Sequence, residues 1–428
     1  MSMALAVAVF VIVYLLIATE RLPRLVAALA GVAAVFALGI TGADEAFYSH
    51  ETGIDWNVIF LLLGMMLVVA GLRRTGLFEF LAIWAAKRTH GRPYALLVLL
   101  ATLTAVASSV LDNVTTVLLV APVTLLVCDR LRLDPVPFLI AEVLASNIGG
   151  TATLVGDPPN IIIGSRADLS FMDFVVNLGP IVVLAMIAFL LVSRWVFRGA
   201  FTFDPDAAAS VMELDERQAI DKPRQLVWGL VILGFVLVGF ILQRTIGVDP
   251  SIVALLGGGA MMLAIPGPTD DYMKNVEWET LVFFMALFVL VGALVEVGAI
   301  DSVADALADA VGGDPAVASF GILGGSAVLS AIVDNIPYVT AMSPVVDQLA
   351  TSDPDLNPHN VLWWSLALGA DFGGNATAIG ASANVVVIGI AKRYGYPISF
   401  WTFTRYGLLV TAMTVALCVP YLWLRYLS

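Results

Sequence analysis

Apolar residues run through this chain in long blocks, and a membrane-spanning helix takes roughly 20 of them in succession. Ten blocks of about that size predict spans over 4–19, 25–41, 56–72, 136–165, 175–193, 226–242, 251–265, 281–297, 360–390 and 403–423. Two further blocks, 94–128 and 316–345, are cut near the middle by Asp112-Asn113 and Asp334-Asn335. We read each of these as a re-entrant hairpin that returns on the side it entered. Such a turn at depth is tolerated only where protein or a water-filled cavity surrounds it. Short interfacial helices are expected at 76–90 and 300–311, and the one long polar stretch, 194–225, reads as a linker. The run from Ala4 to Thr19 meets Glu20-Arg21 with no basic segment before it and no small-residue cleavage pattern, so it predicts a retained first helix.

Composition names the solvent. Hydrophobic residues make up 60% of the 428 and charged residues 13%, with a mean hydropathy of +0.95. Soluble domains carry about twice that share of charge. The expected fold class is an all-α integral membrane protein, with the lipid bilayer as its first partner. A soluble enzyme, a secreted disulfide scaffold and a nucleic-acid binder are excluded, the last because the net charge is -13. Cys128 and Cys418 sit far apart in apolar stretches and read as packed small hydrophobes. His50, His90 and His359 fall in loops, so no structural metal and no cofactor is expected. The chain lacks the glycine-rich phosphate loop of nucleotide-driven pumps. Energy must then come from a proton or sodium gradient, or from a separate ATPase subunit.

Lysine and arginine orient the spans. With the N-terminus outside and ten alternating crossings, 18 of the 21 basic residues fall on the inside, among them Arg21, Arg24, Lys87 and Arg132. Both termini are then outside, the 194–225 linker is cytoplasmic, and the acidic loops at 42–55, 298–315 and 346–359 face outward. The expected location is the plasma or inner membrane of the cell.

The chain also repeats itself. Asp55-Trp56 matches Glu277-Trp278, Gly76 matches Gly298, Asp112-Asn113 matches Asp334-Asn335 and Pro122 matches Pro344, all 222 residues apart. Gly149-Gly150, Thr153, Gly156 and Asn160 match Gly373-Gly374, Thr377, Gly380 and Asn384 at 224. Five crossings per unit is an odd number, so the second unit is expected upside down. The chain then divides into a first repeat over 1–193, the linker over 194–225 and an inverted repeat over 226–428. Each repeat holds five transmembrane helices, one of them broken, plus a hairpin. Secondary transporters built this way bind cargo near the midplane, where the repeats meet.

Four polar clusters fall at that depth. A charge there costs roughly 2.5–3.5 kcal/mol on insertion scales, so acidic residues repeated in register point to function. The substrate- or ion-binding candidates are Asp112, Asn113 and Thr115; Asn147, Gly149, Gly150, Thr151, Thr153, Asp157 and Asn160; Asp334 and Asn335; and Asp371, Gly373, Gly374, Asn375, Thr377, Ser382 and Asn384. Gly-Gly and Pro-Pro unwind the helix and free backbone groups, while Asn and Thr offer neutral oxygens. Asp112, Asp157, Asp334 and Asp371 are the proton-coupling candidates. Glu142 and Glu296 lie in apolar spans and stand outside this core set. None of the clusters contains Lys or Arg, which disfavours a bare anion and suits a cation, a proton-exchanged solute or a neutral polyhydroxy molecule.

The strings LDNVTTVLLVAPVT, AEVLASNIGGTATLVGDPPNIIIGS and GGNATAIGASANVVVIGIAKRYGYPISF carry a resemblance. From about Asp55 to Phe403 the chain resembles the ion transporter superfamily, in the branch joining ArsB and NhaD permeases with the melanosomal P protein. Its hairpins and broken helices are also similar to those of the divalent anion/sodium symporters. Where those carry Ser-Asn-Thr at the tips, this chain carries Asp112-Asn113-Val114 and Asp334-Asn335-Ile336, which argues against sodium-coupled dicarboxylate uptake. The resemblance implies a scaffold half and a moving half, a homodimer, and elevator-like alternating access. It implies a small inorganic substrate: arsenite or antimonite extruded in exchange for protons comes first, then sodium/proton antiport, then organic-anion transport. A channel-like or non-transporting membrane protein on the same fold is the reading from another class.

Overall fold

The computed structural model describes residues 2–428 other than Glu20, Leu214, Asp215 and Asp221. Glu20 at the end of the first expected span, and the linker acids Asp215 and Asp221, therefore lie outside the described residues. Regular secondary structure among the described residues is entirely helical. The helices α1 (Ser2–Ala18) and α2 (Arg24–Ala37) lead through a short α3 (Ala43–Tyr48) into α4 (Trp56–Arg73). Asp55 starts α4 by accepting the free amides of Asn57 and Val58 at 3.0 and 3.2 Å. The short helix α5 (Leu77–Arg88) precedes a helix pair, α6 (Pro93–Ser108) and α7 (Asn113–Arg130), whose sharp turn carries Asp112. Then come α8 (Val136–Gly150) and α9 (Pro158–Arg166), separated by an unwound 151–157, followed by α10 (Phe171–Asn177) and α11 (Gly179–Val196).

Past α12 (Pro205–Met212) in the linker, the same order returns. Helices α13 (Pro223–Ile241), α14 (Gln243–Ile246), α15 (Pro250–Ala264) and α16 (Thr269–Asn275) lead to α17 (Trp278–Glu296) and α18 (Ala299–Val311). The pair α19 (Pro315–Ile332) and α20 (Asn335–Ser352) turns at Asp334, and α21 (Val361–Gly373) breaks over 374–381 before α22 (Ser382–Arg393) and α23 (Phe400–Leu422). Gly76 and Gly298 open α5 and α18 at φ 75° and 73°, a left-handed conformation that explains glycine at both matched positions.

Seven helices among the described residues are long and apolar enough to cross a membrane: α4, α7, α11, α13, α17, α19 and the stretch Phe400–Leu427. The sequence led us to expect ten crossings and two hairpins. The two broken spans are each two short helices, and α2 has only 14 residues, a rise of about 21 Å. The arms α7 and α19, expected within hairpins, are 18 residues each. Exposed side chains identify the surroundings: Leu263, Trp401 and Phe235 are 85%, 76% and 72% exposed. Hydrocarbon is the only solvent that accepts such a surface, so this is an integral membrane protein.

Packing between the halves is reciprocal. Helix α4 lies against α15, and α17 against α2; α6 lies along α8, and α19 along α21; α7 meets α22, and α20 meets α9. The approach of α6 to α8 needs Gly149, where a Cβ would run into the backbone of Ala105. The approach of α19 to α21 needs Gly373, where it would meet the Cα of Ala327 at 2.6 Å. Gly389 on α22 has open space around it. Gly373→Ala should therefore lower the thermal midpoint in detergent, at a cost of about 1–3 kcal/mol, while Gly389→Ala leaves it nearly unchanged. Equal midpoints for the two variants would contradict this packing.

The linker is strapped to the first helix pair. Helix α12 packs on α5 and α7, Lys87 meets Glu216 at 2.5 Å, and Arg132 meets Asp204 at 3.1 Å. The Lys87 ammonium holds the Glu216 carboxyl below its ordinary range, and the amides of Ala207 and Asp206 do the same for Asp204. Because both folded values are depressed, the strap is intact above the ordinary carboxylate pKa of about 4. It weakens as pH falls through the lower folded values. Amide protection factors in Pro205–Met212, which correct for the intrinsic pH dependence of exchange, should stay constant from neutral pH down to about 5 and fall below about 4; a fall between pH 8 and 6 would contradict the assignment.

Candidate functional site

The two tips are helix starts. Asp112 accepts the Thr115 amide at 2.8 Å and Asp334 accepts the Ile336 amide at 3.1 Å, so each caps the helix that follows it. This leaves Asn113 and Asn335, the first residues of α7 and α20, pointing their side chains inward at 2% exposure. The unwound segments are held by matched amides. Asn160 donates to the carbonyls of Thr151 and Thr153 at 3.3 and 3.0 Å; Asn384 donates to those of Gly374 and Thr377 at 2.8 and 2.9 Å. Thr153 and Thr377 spend their hydroxyls on Ser109 and Ala331 of the neighbouring arms, each at 2.6 Å. These bonds replace the helical ones that the breaks give up.

The tips converge on one carboxylate. Asp157, fully buried at the start of α9, accepts Nδ2 of Asn113 at 2.8 Å and Nδ2 of Asn335 at 3.3 Å. Asn113 also donates to Oδ1 of Asn147 at 3.1 Å. Asn147 in turn donates to Oδ1 of Asn375 at 2.9 Å and Oδ1 of Asn384 at 3.0 Å. One continuous polar network therefore joins both tips and both broken helices. Asp371, fully buried at the end of α21, stands beside Thr151 and Asn160, yet neither of its oxygens receives a hydrogen bond. Asp157 lies within electrostatic reach of Asp371, Asp334 and Asp112.

The sequence candidates thus separate by place. Asn113, Asn147, Asp157, Asn335, Asn375 and Asn384 form the network, with Asp371, Thr151 and Asn160 beside it. Gly149, Gly150, Gly373 and Gly374 are buried where the broken helices end. Asp112 and Thr115 stay at the first tip, and Asp334 and Ser382 sit at a rim. There the expectation of a site without basic residues is corrected. Arg24, at the start of α2, reaches Oγ of Ser382 at 2.5 Å and Oδ2 of Asp334 at 3.5 Å. It stands over a cavity of about 520 Å³ lined also by Glu279, Ile332 and Val386. Glu277, the residue matched to Asp55, lies within electrostatic reach of Asp112 and Arg24. Arg24 counted in the sequence only as a basic loop residue; what it touches is 310 residues further along the chain. A second cavity, about 720 Å³, is lined by Asp55, Arg166, Asp301 and Asp347. Glu142 is buried, bonded to Thr124 at 2.6 Å, and lies outside both cavities.

Comparison with known proteins places this geometry. Residues 14–369 match the family model described as citrate transporter. An uncharacterized transporter of Mycobacterium tuberculosis is 53% identical over 422 residues, covering 98% of each chain. The P protein of Homo sapiens is 34% identical over 500 residues, covering 97% of this chain and 59% of that longer protein. Among solved structures, the YdaH transporter of Alcanivorax borkumensis shares the fold with a TM-score of 0.60 at 15% identity, covering 85% of this chain and 84% of that one.

Asn147→Ala tests the network directly. It strips the side-chain oxygens of Asn375 and Asn384 of the donor they share, and each buried group left unpaired costs about 1–3 kcal/mol. The thermal midpoint in detergent should fall clearly below wild type. An unchanged midpoint would mean that these amides do not hold the two broken helices together.

Proposed function

This chain belongs to the citrate transporter family, and from that we propose that it is a secondary active transporter of the cell membrane, exchanging protons for a small solute at the Asp157 junction. The observation that carries the proposal is the single buried carboxylate that takes an amide from each of the two tips. A site held by both halves at once closes or opens only when the halves move relative to each other. We take the reciprocal packing as support for two inverted repeats, 1–193 and 226–428, with re-entrant hairpins at 94–128 and 316–345. The 194–225 linker is then cytoplasmic and both termini are outside. In the elevator mechanism, α6–α9 and α19–α22 travel as the moving half against a scaffold built around α4, α15, α17 and α2, in a homodimer.

The cargo we put first is arsenite or antimonite. Arsenous acid is neutral at pH 7 and brings three hydroxyls, which Asp157 and the surrounding asparagines hold without a basic partner. The exchanged proton comes from among Asp112, Asp157, Asp334 and Asp371. A second reading, an organic acid such as citrate entering with cations, is favoured by Arg24 at the rim and by the family description.

Proteoliposomes with a pH-sensitive dye inside test both. Arsenite, antimonite, sodium, lithium and citrate are added one at a time to wild type and to Asp157→Asn. Arsenite or antimonite should move protons in the wild type, and the variant should be slower by at least about tenfold, or about 1.4 kcal/mol. A response to citrate alone transfers the site to the second reading, and one to sodium or lithium alone makes the protein a sodium/proton antiporter. Solute flux without saturation or proton movement would identify a channel and overturn exchange.

A further inference from the structure

The four buried or half-buried aspartates are not equivalent, and their surroundings assign them different work. Asp157 is supplied with donors: two amide groups point at its carboxylate. Asp371 is supplied with none. The two polar side chains beside it, Thr151 and Asn160, stand close enough to act on its charge, but their hydrogens lie on backbone carbonyls. The Thr151 hydroxyl donates to the carbonyl of Asn147 at 2.9 Å, and the Asn160 amide donates to the carbonyls of Thr151 and Thr153. Asn160 keeps only Oδ1, which is itself without a partner. An ionised Asp371 would therefore be a buried charge without a donor, an arrangement that desolvation strongly disfavours. One hydrogen on the Asp371 carboxyl removes its charge, and the unpartnered Oδ1 of the neighbouring Asn160 is the acceptor available to its O–H.

The internal duplication sharpens the contrast. Shifted by 224 residues, Asp371 corresponds to Asn147, and Asp157 corresponds to Ala381. Asn147 is fully engaged, with two acceptors for its amide and one donor on its oxygen. One repeat thus places at the end of its first half-helix an amide that stitches the network. The other repeat places at the same position a carboxyl that nothing satisfies.

We propose that Asp371 is the residue that carries the exchanged proton, while Asp157 serves the cargo. This rests on the exchange reading above and names its proton site. When the site opens to one side, the O–H bond of Asp371 breaks, its electron pair stays on the carboxylate, and the proton passes to water. Cargo binds at Asp157 only in that state, and it leaves on the far side as a proton returns to Asp371. The ionisable group facing Asp371 is Asp157. Those on the elements packed around α21 are otherwise engaged or distant. No ionisable residue lies on α19; α20 brings Asp334 with Arg24, Tyr338 with Ser326, and Asp347 with Arg166; α8 brings Glu142 with Thr124. His359, and Arg405, Tyr406, Cys418 and Tyr421 on α23, complete the set, none of them acting on Asp371.

The test begins with infrared difference spectra of purified protein at pH 7, where a protonated carboxyl shows its own carbonyl stretch. Asp371→Asn should remove one such band, Asp371→Glu should shift it, and Asp157→Asn should leave it in place. A spectrum unchanged by Asp371→Asn overturns the proposal. The second readout is cargo binding as pH rises, using whichever of arsenite, sodium or citrate moves protons in the wild type. Wild-type affinity should increase by up to about tenfold per pH unit, Asp371→Asn should abolish that slope, and Asp371→Glu should restore it. A slope that survives in Asp371→Asn overturns the assignment and leaves the exchange reading intact. A wild type that moves no protons with any of the three overturns both. Folding of each variant is checked by its thermal midpoint, and Asp371→Glu keeps the band assignment open to refutation if Asp371→Asn fails to fold.

Discussion

The tertiary structure hangs on a carboxylate that two distant turns must reach together. Within the hydrocarbon layer no water exists to satisfy a loose polar group, so a buried donor or acceptor is under a strong demand for a partner in the protein. Asp157 meets that demand only when Asn113 and Asn335 arrive at the same point, from helix pairs more than 200 residues apart. Their arrival positions α7 and α20, and with them the half-helices α22 and α9 that pack on those arms. The breaks at 151–157 and 374–381 follow from the same demand. They survive at depth because Asn160 and Asn384 collect the carbonyls that the lost helical turns set free.

That constraint gives the molecule its asymmetry. A duplicated chain could have placed identical groups in both halves, and at the tips it nearly does. At the broken helices it does not: a satisfied Asn147 stands opposite an unsatisfied Asp371, and Asp157 opposite Ala381. A satisfied network rigidifies, whereas a group left short of a partner stores a deficit that a proton or a ligand relieves. The rim adds a different chemistry, since Arg24 lies between Ser382 and Asp334 at the edge of a cavity large enough for a small solute. Core and rim thus differ in place: the core residues bond to one another across the halves, and the rim residues line an open cavity.

Much of this was legible along the chain because lipid enforces simple rules. Block length and hydropathy were enough for an integral membrane protein and for the order of its helices. The register of Asp-Asn, Gly-Gly and Asn between the halves located the tips and the breaks to within a residue or two. What block length missed was continuity. Hydropathy alone reads 136–165 and 360–390 as unbroken blocks; Gly149-Gly150, Pro158-Pro159 and Gly373-Gly374 marked each as a broken helix, and each is two short helices.

The sequence by itself determined the solvent and the helical class and named the polar residues of the candidate site, since each depends on residue type and spacing alone. Only the tertiary structure decided which of those residues meet. The pairing of Asn113 and Asn335 on Asp157, the isolation of Asp371 and the reach of Arg24 to Asp334 all join segments far apart in the chain. A hydrogen bond acts over about 3 Å, and no periodicity encodes which distant atoms will come within that range.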